Sequence, residues 1–327
     1  MNQDKIKELE EKINEEYNNT VGIVVLKDHQ LQYEHYFHEY DQNNYVHVYS
    51  VTKSILSILI GIAIDKGYIQ NVHQKVLDFF PKYQVKKKEL TIQNITIEHL
   101  LTMSAPYKYK DSPISYIKYF KSKDYLKSTL DLLGGKDAIG KFRYTPIIGP
   151  DILSGILVKA TGQSVFDFAT ENLLKPLDIT VEKNIVLKSA KEQMAFNEST
   201  TISGWVTDSQ GLNTGAWGLT LSPIDMAKIG QLYLNDGQWE GQQIVSSKWL
   251  TESTQEHSEW EENHLKYGYL WWIINEDERA CAAMGDGGNV IYFNKQKNLV
   301  VSIASLFIPE AKDRITLIQE YIEPLFE

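Results

Sequence analysis

Residues 49–60 read Tyr49-Ser50-Val51-Thr52-Lys53-Ser54-Ile55-Leu56-Ser57-Ile58-Leu59-Ile60, a polar stretch that opens an apolar helical run. Ser50 and Lys53 stand three residues apart, which on a helix sets a hydroxyl and an amine on one face. A serine alcohol is a poor nucleophile until a base takes its proton, and a lysine held in the right surroundings can be that base. Placement at a helix start adds free N–H groups and the positive end of the dipole, both favourable to the charge that develops when an acyl carbonyl is attacked. The same spacing recurs at Ser115 and Lys118, but in a Tyr- and Lys-rich stretch after Pro113 with no apolar continuation. Ser50 is therefore the candidate.

On the N-terminal side of this stretch, Ile6, Leu9, Ile13 and Tyr17 recur at helical spacing and predict an amphipathic helix over 4–17. Two strands are expected at Val21 to Leu26 and Leu31 to His38, separated by the polar break 27–30. Near the other end, Gly268 to Ile274, Asn289 to Phe293 and Leu299 to Leu306 have strand character, and helix returns after Pro309. The middle is mostly helical pattern punctuated by glycine and proline, at Pro81, Pro106, Gly149-Pro150, Gly162, Pro176 and Pro223 among others. The expected fold class is α/β in the α+β sense: an antiparallel sheet from both chain ends, flanked by helices, with an inserted mainly helical domain. The expected division is 1–65 plus 266–327 for the sheet domain and 66–265 for the insertion, with a site at their junction.

Composition limits the function classes. The 327 residues carry 33 basic and 43 acidic side chains, a net charge of −10, which excludes the basic footprint of nucleic-acid binding. Hydrophobic residues at 43% and charged residues at 23% describe an ordinary globular chain, and a single cysteine, Cys281, excludes an internal disulfide. The charged start MNQDKIKELEEKINEEY lacks the apolar core of a signal peptide, and the longest apolar run, Ile55 to Ile64, falls short of the roughly 20 residues of a membrane helix. A soluble, cytoplasmic protein is expected, with no membrane or nucleic-acid partner. His35, His38 and His47 lack metal-ligand spacing, and no G-x-S-x-G, P-loop or G-x-G-x-x-G is present, so neither metal nor cofactor is expected.

Further segments follow in a telling order. FRYTPIIGPDILSGILVKAT, residues 142–161, sets a tyrosine just before a helix that ends at Gly162. SPIDMAKIGQLYLNDG spans 222–237, and MGDGGNVIYF, residues 284–293, puts a glycine turn before a strand. Together with YSVTKS and with HLLTMSA at 99–105, these motifs resemble the serine β-lactamase-like superfamily: penicillin-binding proteins, class C β-lactamases and related esterases, D-aminopeptidases and 6-aminohexanoate-dimer hydrolases. The resemblance covers about residues 20 to 307 and implies the same two-part fold. It also implies roles: Ser50 as acylated nucleophile, Lys53 as proton acceptor, Tyr144 as second proton carrier, and the backbone N–H groups of Ser50 and Asn289 as oxyanion hole.

Two departures bear on substrate. The second motif, usually Tyr-x-Asn or Tyr-x-Ser, reads Tyr144-Thr145-Pro146, so position 146 offers no side-chain donor to a substrate amide. The third motif usually opens with lysine or histidine, but Gly285-Asp286-Gly287-Gly288 presents an aspartate. Two like charges about 4 Å apart at an effective dielectric of 20 repel by roughly 4 kcal/mol, which disfavours penicillins and carboxy-terminal peptides. Asp286 would favour a substrate ammonium, cap the turn, or hydrogen-bond Lys53 or Tyr144. Asp286, Gly287 and Gly288 are the expected substrate-binding turn, and Trp205, in a stretch resembling the pocket border of the esterase branch, an expected substrate wall. The expected activity is that of a serine hydrolase acting on a small ester or amide. A catalytically impaired binding homologue and a penicillin-binding protein or D,D-peptidase are the alternatives.

Overall fold

The computed structural model describes residues 3–86, 89–109 and 113–326, with 113–116 described by backbone alone. Ser115 of the second S-x-x-K spacing therefore lies outside the described side chains.

The two chain ends build one sheet. Strands β1 (Thr20–Lys27) and β2 (Gln30–Tyr36) form a hairpin whose turn is only Asp28-His29, both at positive φ (51° and 64°). That backbone matches the twist of the flanking strands, so the break is two residues rather than the four of 27–30. The other strands are β3 (Ser258–Trp260), β4 (Leu265–Tyr267), β5 (Trp272–Asn275), β6 (Ala280–Gly285), β7 (Asn289–Asn294) and β8 (Leu299–Ser305). The order across the sheet is β2-β1-β8-β7-β6-β5-β4-β3, antiparallel throughout. Pairing Thr20 with Ser305 and Lys27 with Leu299 locks the N-terminal hairpin to the last strand.

The sheet thus takes more of the chain than 266–327. The strand expected from Gly268 begins only at Trp272, because Leu270 has positive φ (62°) and a Cβ at Gly268 would lie 2.3 Å from the Ser253 carbonyl oxygen. The chain turns there before it pairs. Strand β6 has the sequence Ala-Cys-Ala-Ala-Met-Gly, poor in strand formers, and its small side chains admit close packing on both faces.

Each face of the sheet is covered. On one side, Leu9 and Ile13 of helix α1 (Gln3–Glu16) and Leu317, Ile318 and Ile322 of the C-terminal helical segment bury Ile23, Val25, Tyr292, Val301 and Ile303. On the other, Val21, Val24, Ile291, Phe293 and Val300 share a core with helix α2 (Val51–Asp65), helix α3 (Ile148–Thr161) and helix α4 (Pro223–Leu234). Helix α4 lies on the sheet although its sequence belongs to the middle segment; a Cβ at Gly230 would lie 2.6 Å from Val300. Every residue of α2 from Val51 to Ala63 is buried, as an all-round apolar helix requires, and each buried Ile or Leu contributes about 1.5–3 kcal/mol. Helix α2 is the axle between the sheet and the helical segment, and it delivers Ser50 to their junction. No helix among the described residues is long and apolar enough to cross a membrane.

Candidate active site

The backbone makes an abrupt turn into α2. Val46–His47 pairs with Thr220–Leu221, and then Tyr49 adopts a left-handed φ of 47°. That conformation is costly for a bulky residue and persists only when its surroundings enforce it. Here His47 does so: its ring stacks on Tyr49 at 3.8 Å, its Nε2 accepts from Gly218 N at 2.9 Å, and its Nδ1 meets Asn197 Oδ1 at 3.0 Å. Since Nε2 accepts a backbone N–H, the ring proton is assigned to Nδ1. Burial pushes the His47 pKa down to about 3, so the ring is a neutral brace.

The turn sets Ser50 as N-cap of α2, with no side-chain cap bond to divert its hydroxyl. Lys53 Nζ donates to Ser50 Oγ at 2.5 Å and to the Ala216 carbonyl oxygen at 3.0 Å. Lys53 is only 2% exposed. Tyr144 Oη donates to Ser50 Oγ at 3.4 Å, and its ring lies 5.4 Å from Lys53 Nζ and stacks on Trp272 at 5.7 Å. The strand-like entry to Tyr144 is held by Arg143, whose N donates to Met103 O and whose guanidinium donates to the Tyr107 and Tyr109 carbonyls. Ser50, Lys53 and Tyr144, separated by 94 residues, are one hydrogen-bonded group.

The third motif reaches this group through Gly285. A Cβ there would lie 2.2 Å from Val48 O and 3.2 Å from Ser50 N, so only glycine lets the end of β6 come this close. Asn289 has a different task. Fully buried, its Nδ2 donates to the Asp286 and Ser305 carbonyls and its Oδ1 accepts from Ser305 N, tying the β6–β7 turn to β8. Gly287 and Gly288, at φ 79° and 92°, are packed away from Ser50: added Cβ atoms would strike Leu306 O and the Arg314 guanidinium. Their glycines serve packing of the turn. Asp286 is exposed, and no side-chain hydrogen bond or ion pair to it is present among the described residues. It therefore does not bond Lys53 or Tyr144.

Trp205 is not a substrate wall. It is fully buried, and its Nε1 donates to Thr214 O, bracing the 205–217 segment from inside. Sequence reasoning also passed over Asp151. This carboxylate in α3 is fully buried, accepts Tyr119 Oη at 2.5 Å and Gly215 N at 2.9 Å, and lies one peptide from the carbonyl that holds Lys53. Burial, the dominant cause, raises its pKa to about 7 against the opposing pull of those donors and of Lys53. A charged residue inside the apolar run 147–157 was the available signal.

A serine at a helix start, a buried lysine on its hydroxyl, a tyrosine across it and a glycine strand end beside it form one arrangement. The family model described as Beta-lactamase matches residues 6–320. The chain belongs to the Beta-lactamase family. No curated protein sequence matches it. Among solved structures it is similar to a provisionally named 6-aminohexanoate-dimer hydrolase from Bacillus anthracis (18% identity, TM-score 0.75, 97% of this chain and 81% of that one). It is similar also to EstCE1, a hydrolase with promiscuous acyltransferase activity (14%, 0.74, 98% of each chain). The octameric penicillin-binding protein homologue from Pyrococcus abyssi gives 19% identity and a TM-score of 0.68 over 96% of this chain and 76% of that one. At such identities these likenesses are of fold. Members of the Beta-lactamase family with such folds include esterases and amidases, and the residues of the site must speak for this one.

Proposed function

We propose that the protein is a serine hydrolase that cleaves a small ester or amide through an acyl-enzyme on Ser50. The observation that carries this reading is Ser50 Oγ held 2.5 Å from Lys53 Nζ and 3.4 Å from Tyr144 Oη at the start of α2. Ser50 Oγ attacks the carbonyl carbon as its proton passes to Lys53. The leaving oxygen or nitrogen takes a proton from Tyr144, which Lys53 replenishes. Water then attacks the acyl carbon, gives up its proton by the same route, and releases the acid and free Ser50.

The oxyanion is bound by Ser50 N and a second backbone donor on the β6–β7 turn. Asn289 N was the expected donor; the approach of Gly285 to Ser50 N favours Asp286 N, the next amide along. The mouth is aromatic and anionic: Tyr49 meets half-exposed Phe307 in a tilted ring contact at 5.6 Å, and burial followed by the Asp286 charge raises the Tyr49 pKa. An aromatic face beside a carboxylate suits a neutral or ammonium-bearing substrate and repels a carboxylate. Pro146 motivates a second reading, a non-catalytic binding homologue; the assembled Ser50–Lys53–Tyr144 contacts weigh against it.

The test is hydrolysis of short-chain aryl esters, neutral, cationic and anionic, by wild type, Ser50→Ala and Asp286→Lys. Ser50→Ala is expected to abolish turnover. Asp286→Lys is expected to shift preference toward the anionic ester by tenfold or more. Turnover unchanged in Ser50→Ala would remove the proposal.

A further inference from the structure

Lys53 can serve Ser50 only if its amine stays on the hydroxyl, and among the described residues its other hydrogen-bond acceptor is a peptide carbonyl, Ala216 O. That peptide sits in a segment with a glycine on each side of the Ala216–Trp217 pair, Gly215 and Gly218, which gives it little intrinsic stiffness. What fixes it comes from α3. Asp151 Oδ1 accepts Gly215 N at 2.9 Å, the residue immediately before Ala216. Gly215 is pressed so closely on the start of α3 that a Cβ would lie 2.3 Å from Pro150 O and 2.6 Å from Ser154 Oγ. The far oxygen, Oδ2, accepts Tyr119 Oη at 2.5 Å, and Tyr119 is itself held by stacking on Tyr125 at 4.4 Å and by Trp217 Nε1 at 3.4 Å.

We propose that Asp151 is a positioning residue for acylation of Ser50: by clamping the Gly215 amide it aims the adjoining Ala216 carbonyl at Lys53 and so keeps the amine on the nucleophile. The inference rests on the hydrolase reading above.

The clamp is sensitive to protonation. As a carboxylate, Asp151 accepts Gly215 N on one oxygen and Tyr119 Oη on the other; once protonated, its own hydroxyl hydrogen needs an acceptor and one of these donors is left unmatched. The titratable and charged groups facing it are Lys53 from α2, Tyr119 from helix 113–120, Tyr125 from helix 125–130, and Asp208, which holds Tyr125 N at 2.9 Å from the 205–217 segment. Tyr119 keeps its proton, burial being the leading cause and the Asp151 charge the next, so of this hydrogen-bonded pair it is Asp151, raised by burial to about 7, that titrates near neutrality.

The experiment measures the second-order rate of Ser50 phosphonylation by a fluorophosphonate, read by intact mass from pH 5.5 to 9. Wild type, Asp151→Ala, Asp151→Asn, Tyr119→Phe and Ser50→Ala are compared, each checked for a native circular dichroism spectrum. Asp151→Ala is expected to label about 10²-fold more slowly, the usual consequence of a displaced catalytic group, with ester KM little changed. Asp151→Asn keeps the shape and an acceptor oxygen; it is expected within about tenfold of wild type and without the wild-type inflection near pH 7. Tyr119→Phe, which leaves Gly215 clamped, is expected to shift that inflection while sparing most of the rate, and it carries the test if Asp151→Ala does not fold. Wild-type rates and an unchanged pH profile in the Asp151 variants would overturn the proposal. Wild type unlabelled at Ser50 would overturn the hydrolase reading, and this inference with it.

Discussion

Replacing Asp151 by asparagine should change how the stability of the whole protein depends on pH. The buried carboxyl has its pKa raised from the ordinary 3.8 to about 7, chiefly by burial. Between those values the folded protein holds a proton that the unfolded chain has released. Stability from this group is therefore greatest below about pH 4 and is lost as pH rises toward 7. At 1.36 kcal/mol per pH unit, the loss between pH 5 and pH 8 comes to roughly 2 to 3 kcal/mol, complete once the folded carboxyl has ionised. Asparagine has no proton to lose. Urea unfolding of wild type and Asp151→Asn at pH 5, 6, 7 and 8 isolates the effect, because all other titrating groups are common to both chains. The difference in unfolding free energy should move in favour of the variant by about 2 to 3 kcal/mol over that range. Curves parallel within about 0.5 kcal/mol would refute the placement of Asp151 as a desolvated carboxyl and weaken its role as a protonation-sensitive clamp.

Two further substitutions probe the site directly. Tyr144→Phe removes the hydroxyl 3.4 Å from Ser50 Oγ while leaving the stack on Trp272, so ester kcat should fall about 10²- to 10⁴-fold with KM little altered; an unchanged kcat would remove Tyr144 from proton transfer. Gly285→Ala would place a Cβ 2.2 Å from Val48 O and 3.2 Å from Ser50 N, which should cost about 1–3 kcal/mol in thermal unfolding and slow Ser50 labelling at least tenfold. Normal stability and labelling would show that β6 does not press on the nucleophile.

The sheet of joined chain ends and the buried α2 were legible because their side chains follow simple periods: β-branched runs at Val21 to Leu26 and Leu299 to Leu306, and an unbroken apolar helix after Ser54. Strand β6 was not, since an alanine-rich hexad becomes a strand only between two layers that demand small side chains. Strands β3 and β4 escaped for another reason. They are three residues each, carry Glu259 and Lys266, and owe their existence to pairing with one another and with β5. In the candidate site, Ser50, Lys53 and Tyr144, which the fold brings into one hydrogen-bonded group, could be proposed from sequence because ordered motifs mark them. Trp205, Gly287 and Gly288 could not be told from their structural counterparts, as a pocket-lining residue and a packing residue leave the same trace in one sequence. Asp151 was invisible for the converse reason: its importance lies in the Gly215–Ala216 peptide, 64 residues away, which only the fold brings to it.

The central claim is that Ser50 is an acylated nucleophile, and intact-protein mass after parallel incubation with a fluorophosphonate, a short-chain aryl ester and a penicillin tests it most directly. The account predicts a phosphonate adduct on wild type that is absent from Ser50→Ala, ester turnover that is lost with it, and no lasting penicilloyl adduct, since Asp286 stands where a carboxylate-binding cation would be needed. Wild type gaining no mass over its untreated form in any of the three incubations, or Ser50→Ala gaining the same adduct as wild type, would contradict it.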